Sequence, residues 1–190
     1  MARLILLNGP PGIGKSTLAR RYVDERPSAL DLDLDLVRSL LGSWLEHPER
    51  SGELARRLAI AMARAHLSGG HDVVVPQLLA RSSFIDELEG VAAEVGAAFH
   101  EVVLMDTRAG SVARFHERSR RRALAGQPDP QHDLVELAGG DAVLEEHHDR
   151  LVALLATRPR ATTIVTRSGA VDEAYAELVR RLAGATPEQD

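Results

Sequence analysis

The sequence predicts an α/β fold: a doubly wound, five-stranded parallel sheet covered by helices. Two observations carry this. Short apolar runs alternate along the chain with longer amphipathic stretches, the pattern of strands joined by crossover helices. The first apolar run, Leu4-Ile5-Leu6-Leu7, leads directly into Gly9-Pro10-Pro11-Gly12-Ile13-Gly14-Lys15-Ser16. That loop fits G-x-x-x-x-G-K-[ST], which requires a strand before it and a helix after it. With 190 residues, 44% of them hydrophobic, the chain suffices for one domain with a real core.

The elements follow in order. The first strand covers residues 3–8, and a helix begins at Lys15. Residues 28–33 alternate apolar and acidic side chains and read as a second strand, placed beside the first. Helices are predicted over 36–44 and 49–67, the latter closed by Ser68-Gly69-Gly70. Residues 72–75 form the third strand, stopped by Pro76, and Ser82-Ser83 caps a helix running to Val95, before Gly96. The fourth strand spans 99–105, with Asp106 at its end, and a helix rich in arginine spans 109–125. Gly126-Gln127-Pro128-Asp129-Pro130 breaks the periodicity and reads as a mobile loop within the domain. A helix over 141–157, a strand over 161–166 and a helix over 171–182 complete a single domain of residues 1–184, with a loose tail at 185–190.

In a phosphate-cradling P-loop, glycines let backbone N–H groups converge on an anion, and the following helix N-terminus adds partial positive charge. The binding set is Gly9, Gly12, Ile13, Gly14, Lys15, Ser16 and Thr17. Lys15 reaches the β- and γ-phosphates of a nucleoside triphosphate, and Ser16 holds Mg²⁺. A second constellation follows: Asp31, Asp33 and Asp35 lie two apart, with Arg38 one helical turn past Asp35. Phosphoryl transfer to a hydroxyl needs a carboxylate opposite the γ-phosphate to orient the acceptor and take its proton. Asp35, where strand turns to helix, is the candidate base. Arg38 is the candidate clamp on acceptor or phosphate, and Asp33 a support for Mg²⁺ or for Asp35. Asp31 is the surface or structural member. An edge strand with solvated acids would give the same alternation.

The P-loop together with Asp35-Leu36-Val37-Arg38 resembles the D-x-x-R arrangement of small P-loop kinases. It is similar to the kinase domain of bacteriophage polynucleotide kinase, to zeta-toxin kinases and to chloramphenicol phosphotransferase. The resemblance covers mainly residues 1–45 and a helical lid near 114–132. It implies a P-loop NTPase fold like that of the nucleoside monophosphate kinases, with Asp35 as base and Arg38 binding acceptor or phosphate. It does not name the acceptor.

Arg114, Arg118, Arg120, Arg121 and Arg122 cluster before the Gly-Pro break. Charge on the transferred group must be offset and water excluded, which a basic lid can do. Arg118 and Arg122 share a helical face and are the first candidates; a basic solvated face is the plain alternative. Gln77 and Arg81, after the third strand, are candidate acceptor contacts. Trp44 and Phe84 suit an acceptor pocket or the core. Val73-Val74-Val75 lacks the aspartate that commonly ends a Mg²⁺-binding strand, and Asp106 is a candidate in an outer Mg²⁺ role. Thr166-Arg167-Ser168-Gly169 is placed for a nucleotide base by position alone. His147-His148 are adjacent on a helix, face about 100° apart, and read as surface residues rather than metal ligands.

A net charge of -5 gives no global pull toward nucleic acid or anionic membrane, and 3% aromatic content limits stacking platforms. With no cysteine there is neither disulfide nor thiolate metal site, which fits a cytoplasmic setting. No apolar run approaches a membrane span of about 18 residues. Met1-Ala2-Arg3-Leu4 leads straight into a strand, which reads against a leader. The expectation is a kinase moving the γ-phosphoryl group of ATP or GTP, with Mg²⁺, to a hydroxyl of a small molecule such as a nucleoside, sugar or antibiotic. The 5′-hydroxyl of an oligonucleotide is the alternative acceptor. A nucleotide-binding switch or ATPase without an acceptor is the alternative class.

Overall fold

Strand β1 (Arg3–Asn8) is buried along almost its whole length, as the central strand of a parallel sheet must be. The computed structural model describes residues 1–184, so the tail expected at 185–190 lies outside the described residues. Strands β2 (Leu30–Asp31), β3 (Val73–Pro76), β4 (Ala98–Met105) and β5 (Thr162–Val165) join β1 in the order β2-β3-β1-β4-β5. Every pairing is parallel. The five-stranded, doubly wound sheet is therefore as the sequence predicts.

The alternation along β1 divides the core into two layers. Leu4 and Leu6 join Val73 and Val75 on one face. There they meet α3 (Pro48–Ser68) and α4 (Ser82–Glu94) through Ala55, Ala59, Ala63, Phe84, Ile85 and Leu88. The i,i+4 alanines bring α3 close to the sheet. Ile5 and Leu7 join Val74, Val102 and Leu104 on the other face. There α1 (Lys15–Asp24) contributes Leu18, Ala19 and Tyr22, and α8 (Val171–Gly184) contributes Tyr175, Leu178 and Leu182. Each such leucine, fully buried, contributes about 1.5–3 kcal/mol.

Four local expectations are corrected. The second strand is two residues long and sits at the sheet edge, with β3 between it and β1. It is short because Ser28 turns with φ 66° and Asp33 leaves the strand to cap α2 (Leu34–Ser39), accepting the Asp35 N–H at 2.9 Å. Helix α2 stops at Ser39 instead of reaching residue 44, where Gly42 and Ser43 (φ 52°) turn the chain. Neither Ser82 nor Ser83 caps α4; Arg81 holds the cap position without a side-chain bond. An additional helix, α6 (Pro130–Ala138), follows the Gly-Pro break, between α5 (Arg108–Leu124) and α7 (Asp141–Leu155).

No helix among the described residues is long and apolar enough to cross a membrane.

Candidate active site

The P-loop joins the C-terminal end of β1 to α1, and glycine geometry fixes its path. Gly9, Gly12 and Gly14 have φ of 146°, 77° and 109°. A side chain on Gly9 would stand 2.5 Å from the Leu104 carbonyl oxygen, and one on Gly12 would stand 3.0 Å from the backbone of Arg114. Buried Asn8 fastens the neighbouring wall. Its Oδ1 accepts the N–H groups of Gly9 at 2.8 Å and Leu79 at 2.9 Å, and its Nδ2 donates to the Leu79 carbonyl at 2.9 Å. The loop after β3 is thereby stapled to the P-loop. Asn8 escaped the sequence reading, although a polar residue closing an apolar strand was the available signal.

Around this frame lies a cleft of about 660 Å³. Pro11, Gly12, Gly14, Lys15, Ser16 and Thr17 line one side, and Gln77, Arg81, Ser83 and Phe84 line another. Asp33 and Asp35 stand in the same cleft, with Arg118, Arg121 and Gln131 from the α5–α6 region and His147 and Arg150 from α7. Ser16 Oγ donates to Asp33 Oδ2 at 3.4 Å, so the acidic segment faces the P-loop even though β2 is not its neighbouring strand. Lys15 folds back over the loop, donating to the carbonyls of Gly9 at 2.7 Å and Pro10 at 2.8 Å. Burial lowers the Lys15 ammonium to about 7; Asp35 opposes this, Arg118 lowers it further and Asp33 again raises it. Burial raises Asp33 above the ordinary carboxylate value, against the hydrogen bond from the Asp35 N–H.

The α5–α6 region and Asp35 are physically connected. Gln131 Nε2 donates to Asp35 Oδ2, while Gln131 Oε1 accepts from Arg118 at 2.6 Å. Arg118 also donates to Asp129 at 3.2 Å, and Asp129 accepts the Ser119 hydroxyl at 2.8 Å. Asp129 lies below its ordinary value: burial pushes it up, and the Ser119 bond and the Arg118 charge outweigh that.

Not every candidate reaches the cleft. Arg38 turns to the start of α3, donating to Ser51 Oγ at 2.9 Å and the Pro48 carbonyl at 2.6 Å, with its guanidinium 5.3 Å from the Trp44 ring centre. Arg122 donates to the Pro128 carbonyl at 3.0 Å and 2.6 Å. Gly9 and Ile13 shape the loop from beneath. Asp106 pairs with Arg114 at 2.8 Å behind the P-loop, and Arg114 reaches the Ile13 carbonyl at 3.5 Å. Residues 166–169 and Trp44 are not among the cleft residues. His147 and His148 are half-buried rather than surface residues. His147 lines the cleft with an unpartnered Nδ1, and burial and Arg150 lower its pKa. Asp31 is half-buried too, with Oδ1 unpartnered. Sequence reasoning also missed Arg56, Gln131 and Arg150, none of which sits in a motif.

This architecture suits a triphosphate. Helix α1 opens at Gly14 without a side-chain cap, leaving its first N–H groups for an anion. Ser16 and Asp33 offer adjacent hard oxygen ligands, the donor type Mg²⁺ takes alongside phosphates and water. No cluster of three or more His, Cys, Asp or Glu capable of holding a metal occurs among the described residues.

Residues 4–136 match the AAA_33 family model, described as an AAA domain. Over 68 residues the chain is 43% identical to adenylate kinase of Paracoccus denitrificans (strain Pd 1222), a match covering 35% of this chain and 28% of that relative. The fold is similar to the tunicamycin resistance protein of Deinococcus radiodurans, with TM-score 0.59, 18% identity and 100% of both chains covered. It is equally similar to a gluconokinase from Sinorhizobium meliloti 1021, with TM-score 0.59, 17% identity, and 96% and 97% of the two chains covered. The fold thus resembles those of the tunicamycin resistance protein and the gluconokinase, and the chain belongs to the AAA_33 family of AAA domains.

Proposed function

We propose that this protein transfers the γ-phosphoryl group of ATP or GTP to a hydroxyl of a small molecule. The observation that carries this is the presence of the Asp35 carboxylate and the P-loop in one cleft, close enough that Asp35 acts electrostatically on Lys15. A carboxylate opposite a phosphate cradle can orient and deprotonate an alcohol, as it could a water, and the further walls of the cleft leave room for an acceptor larger than water.

The acceptor hydroxyl approaches between Asp35 and the wall formed by Gln77 and Arg81. Its oxygen bonds to the γ-phosphorus as the bond to the β,γ-bridging oxygen breaks, and its proton passes to Asp35. The nucleoside diphosphate leaves. Loop N–H groups and Lys15 hold the charge of the donor, and Arg118 offsets what develops on the moving group. For this, Lys15 must leave the Gly9 and Pro10 carbonyls and Gln131 must release Asp35. Ser16 and Asp33 would hold Mg²⁺, which supplies further neutralisation of phosphate charge. Arg38 and Arg122 enter this scheme only if the lid and α2 rearrange; as placed, they brace α3 and the 126–130 loop.

The test is Asp35→Asn, assayed against a panel of hydroxyl compounds and 5′-hydroxyl oligonucleotides. The expected result is retained triphosphate binding with transfer reduced by about 10²-fold or more. Unchanged transfer removes Asp35 from its role. Steady nucleotide hydrolysis without transfer to any acceptor points to a switch or ATPase.

A further inference from the structure

Six cationic side chains line the cleft, Lys15, Arg56, Arg81, Arg118, Arg121 and Arg150, against two carboxylates, Asp33 and Asp35. The chain as a whole is acidic, with net charge -5. Outside the cleft its arginines are mostly neutralised: Arg64 pairs with Glu94, Arg108 with Glu145 and Asp149, and Arg158 with Asp86, Glu89 and Glu101. Within the cleft Arg118 pairs with Asp129 and Arg150 with Glu146, whereas Arg56, Arg81 and Arg121 make no ion pair among the described residues; Arg121 stands on α5, the donor side, which leaves Arg56 and Arg81.

The donor does not account for these two. Its phosphates are met by the loop, Lys15 and Arg118, from α1 and α5. Arg56 comes from α3 and Arg81 from the start of α4, the two helices packed on the opposite face of the sheet from α1. Asp35 comes from α2, whose Leu34 and Val37 pack in that same layer. The base and two uncommitted guanidiniums therefore reach the cleft from one side. The remaining lining there is Gln77, Leu78, Leu79, Ala80, Ser83 and Phe84, which offers few paired donors and acceptors for a neutral polyol.

We propose that the acceptor is a small anion, a hydroxyl compound carrying a phosphate or carboxylate that Arg56 and Arg81 grip while Asp35 engages the hydroxyl. This rests on the phosphotransferase reading and narrows its acceptor class. When the lid closes, a neutral acceptor leaves two guanidiniums desolvated without countercharge, whereas an anion converts that cost into charge-assisted hydrogen bonds. Such binding is directional, because arginine presents a planar fork to either group.

The experiment uses the full chain saturated with Mg²⁺ and a non-hydrolysable triphosphate analogue, so that the P-loop is filled. Inorganic phosphate and acetate are then titrated, read by NMR of the arginine side-chain N–H signals. The expected result is saturable binding that shifts the Arg56 and Arg81 signals and weakens by about tenfold or more in R56Q/R81Q, with R56K/R81K intermediate. Phosphate against acetate identifies the preferred group. No binding to the loaded protein, or equal binding by R56Q/R81Q, overturns the proposal. In transfer assays, matched pairs decide independently: glycerol against glycerate, and a nucleoside against its 3′-monophosphate. The charged member should lead in kcat/KM by about tenfold or more, with the lead lost in R56Q/R81Q. A leading neutral member, or an oligonucleotide preferred over every small anion, overturns it. Absence of transfer to any acceptor would strike the phosphotransferase reading, while the titration still reports on the anion subsite.

Discussion

At Lys15 the local field has a measurable consequence. Burial holds its ammonium near 7 in the free protein, with the carboxylates of Asp35 and Asp33 and the guanidinium of Arg118 as its charged neighbours. A triphosphate brings negative charge that restores the protonated form, so binding above about pH 7 must take up a proton. Affinity for the Mg²⁺-triphosphate complex should fall as pH rises from about 7 to 9, by up to about tenfold per unit, and Lys15→Ala should flatten the profile. Calorimetry in buffers of different ionisation enthalpy reads the proton directly; a flat wild-type profile would remove the argument. Single residues were legible in the sequence where chemistry is local. The glycines and Lys15 follow from the loop pattern, and Asp35 from its distance to it. Arg38 was not: its spacing from Asp35 is as read, but Ser51 and the Pro48 carbonyl of α3, with the Trp44 ring of the turn before it, capture it. Arg122 is taken by the Pro128 carbonyl for the same reason.

Among the elements, long periodic segments were legible and short ones were not. Helices α3, α5 and α7 and strands β1 and β4 lie within a residue or two of their expected bounds, because burial of a repeating face specifies them. Helix α6 was hidden behind the Gly-Pro break. Its signal was nonetheless present: Asp129 caps it and Pro130 opens it, the standard start of a helix. Strand β2 was overread because alternating acids imitate strand periodicity while one of them, Asp33, serves as a helix cap. The alternation leaves Asp31 half-buried, its carboxyl raised to about 6 by burial and by Asp33. The folded state then binds the proton more tightly than the unfolded chain, so stability falls as pH rises from the ordinary value of 3.8 through about 6. Asp31→Asn should remove that loss. Thermal melts should show the variant more stable by a few degrees at about pH 7.5, with little difference at about pH 4. Equal melting temperatures at the higher pH would mean that water or Arg20 already compensates the charge.

For the whole molecule, the sheet places its P-loop and β3 loop on a rigid floor, and α5–α7 close over them from β4. The floor is fixed by the Asn8 bonds and by close glycine contacts, whereas the roof is hydrogen-bonded to the acidic segment through Gln131. That side chain occupies one Asp35 oxygen, where on the proposed reading it competes with an acceptor hydroxyl, and its amide oxygen ties up the Arg118 guanidinium. On the proposed reading the conformation described is a resting one, in which Asp35 and Arg118 are joined through the Gln131 amide. Binding of acceptor must break the bridge, and the energy for this comes from contacts made only in the loaded cleft. Gln131→Ala should consequently lower KM for the acceptor by about two- to fivefold without lowering kcat by more than about twofold, because the competitor for Asp35 is gone while Asp129 still caps α6. Hydrogen exchange should rise across residues 130–138 in the free variant and become equal to wild type once donor analogue and acceptor are bound. A large fall in kcat instead would assign Gln131 to holding Asp35 in its working orientation, and the bridge would then belong to the reacting state rather than to rest.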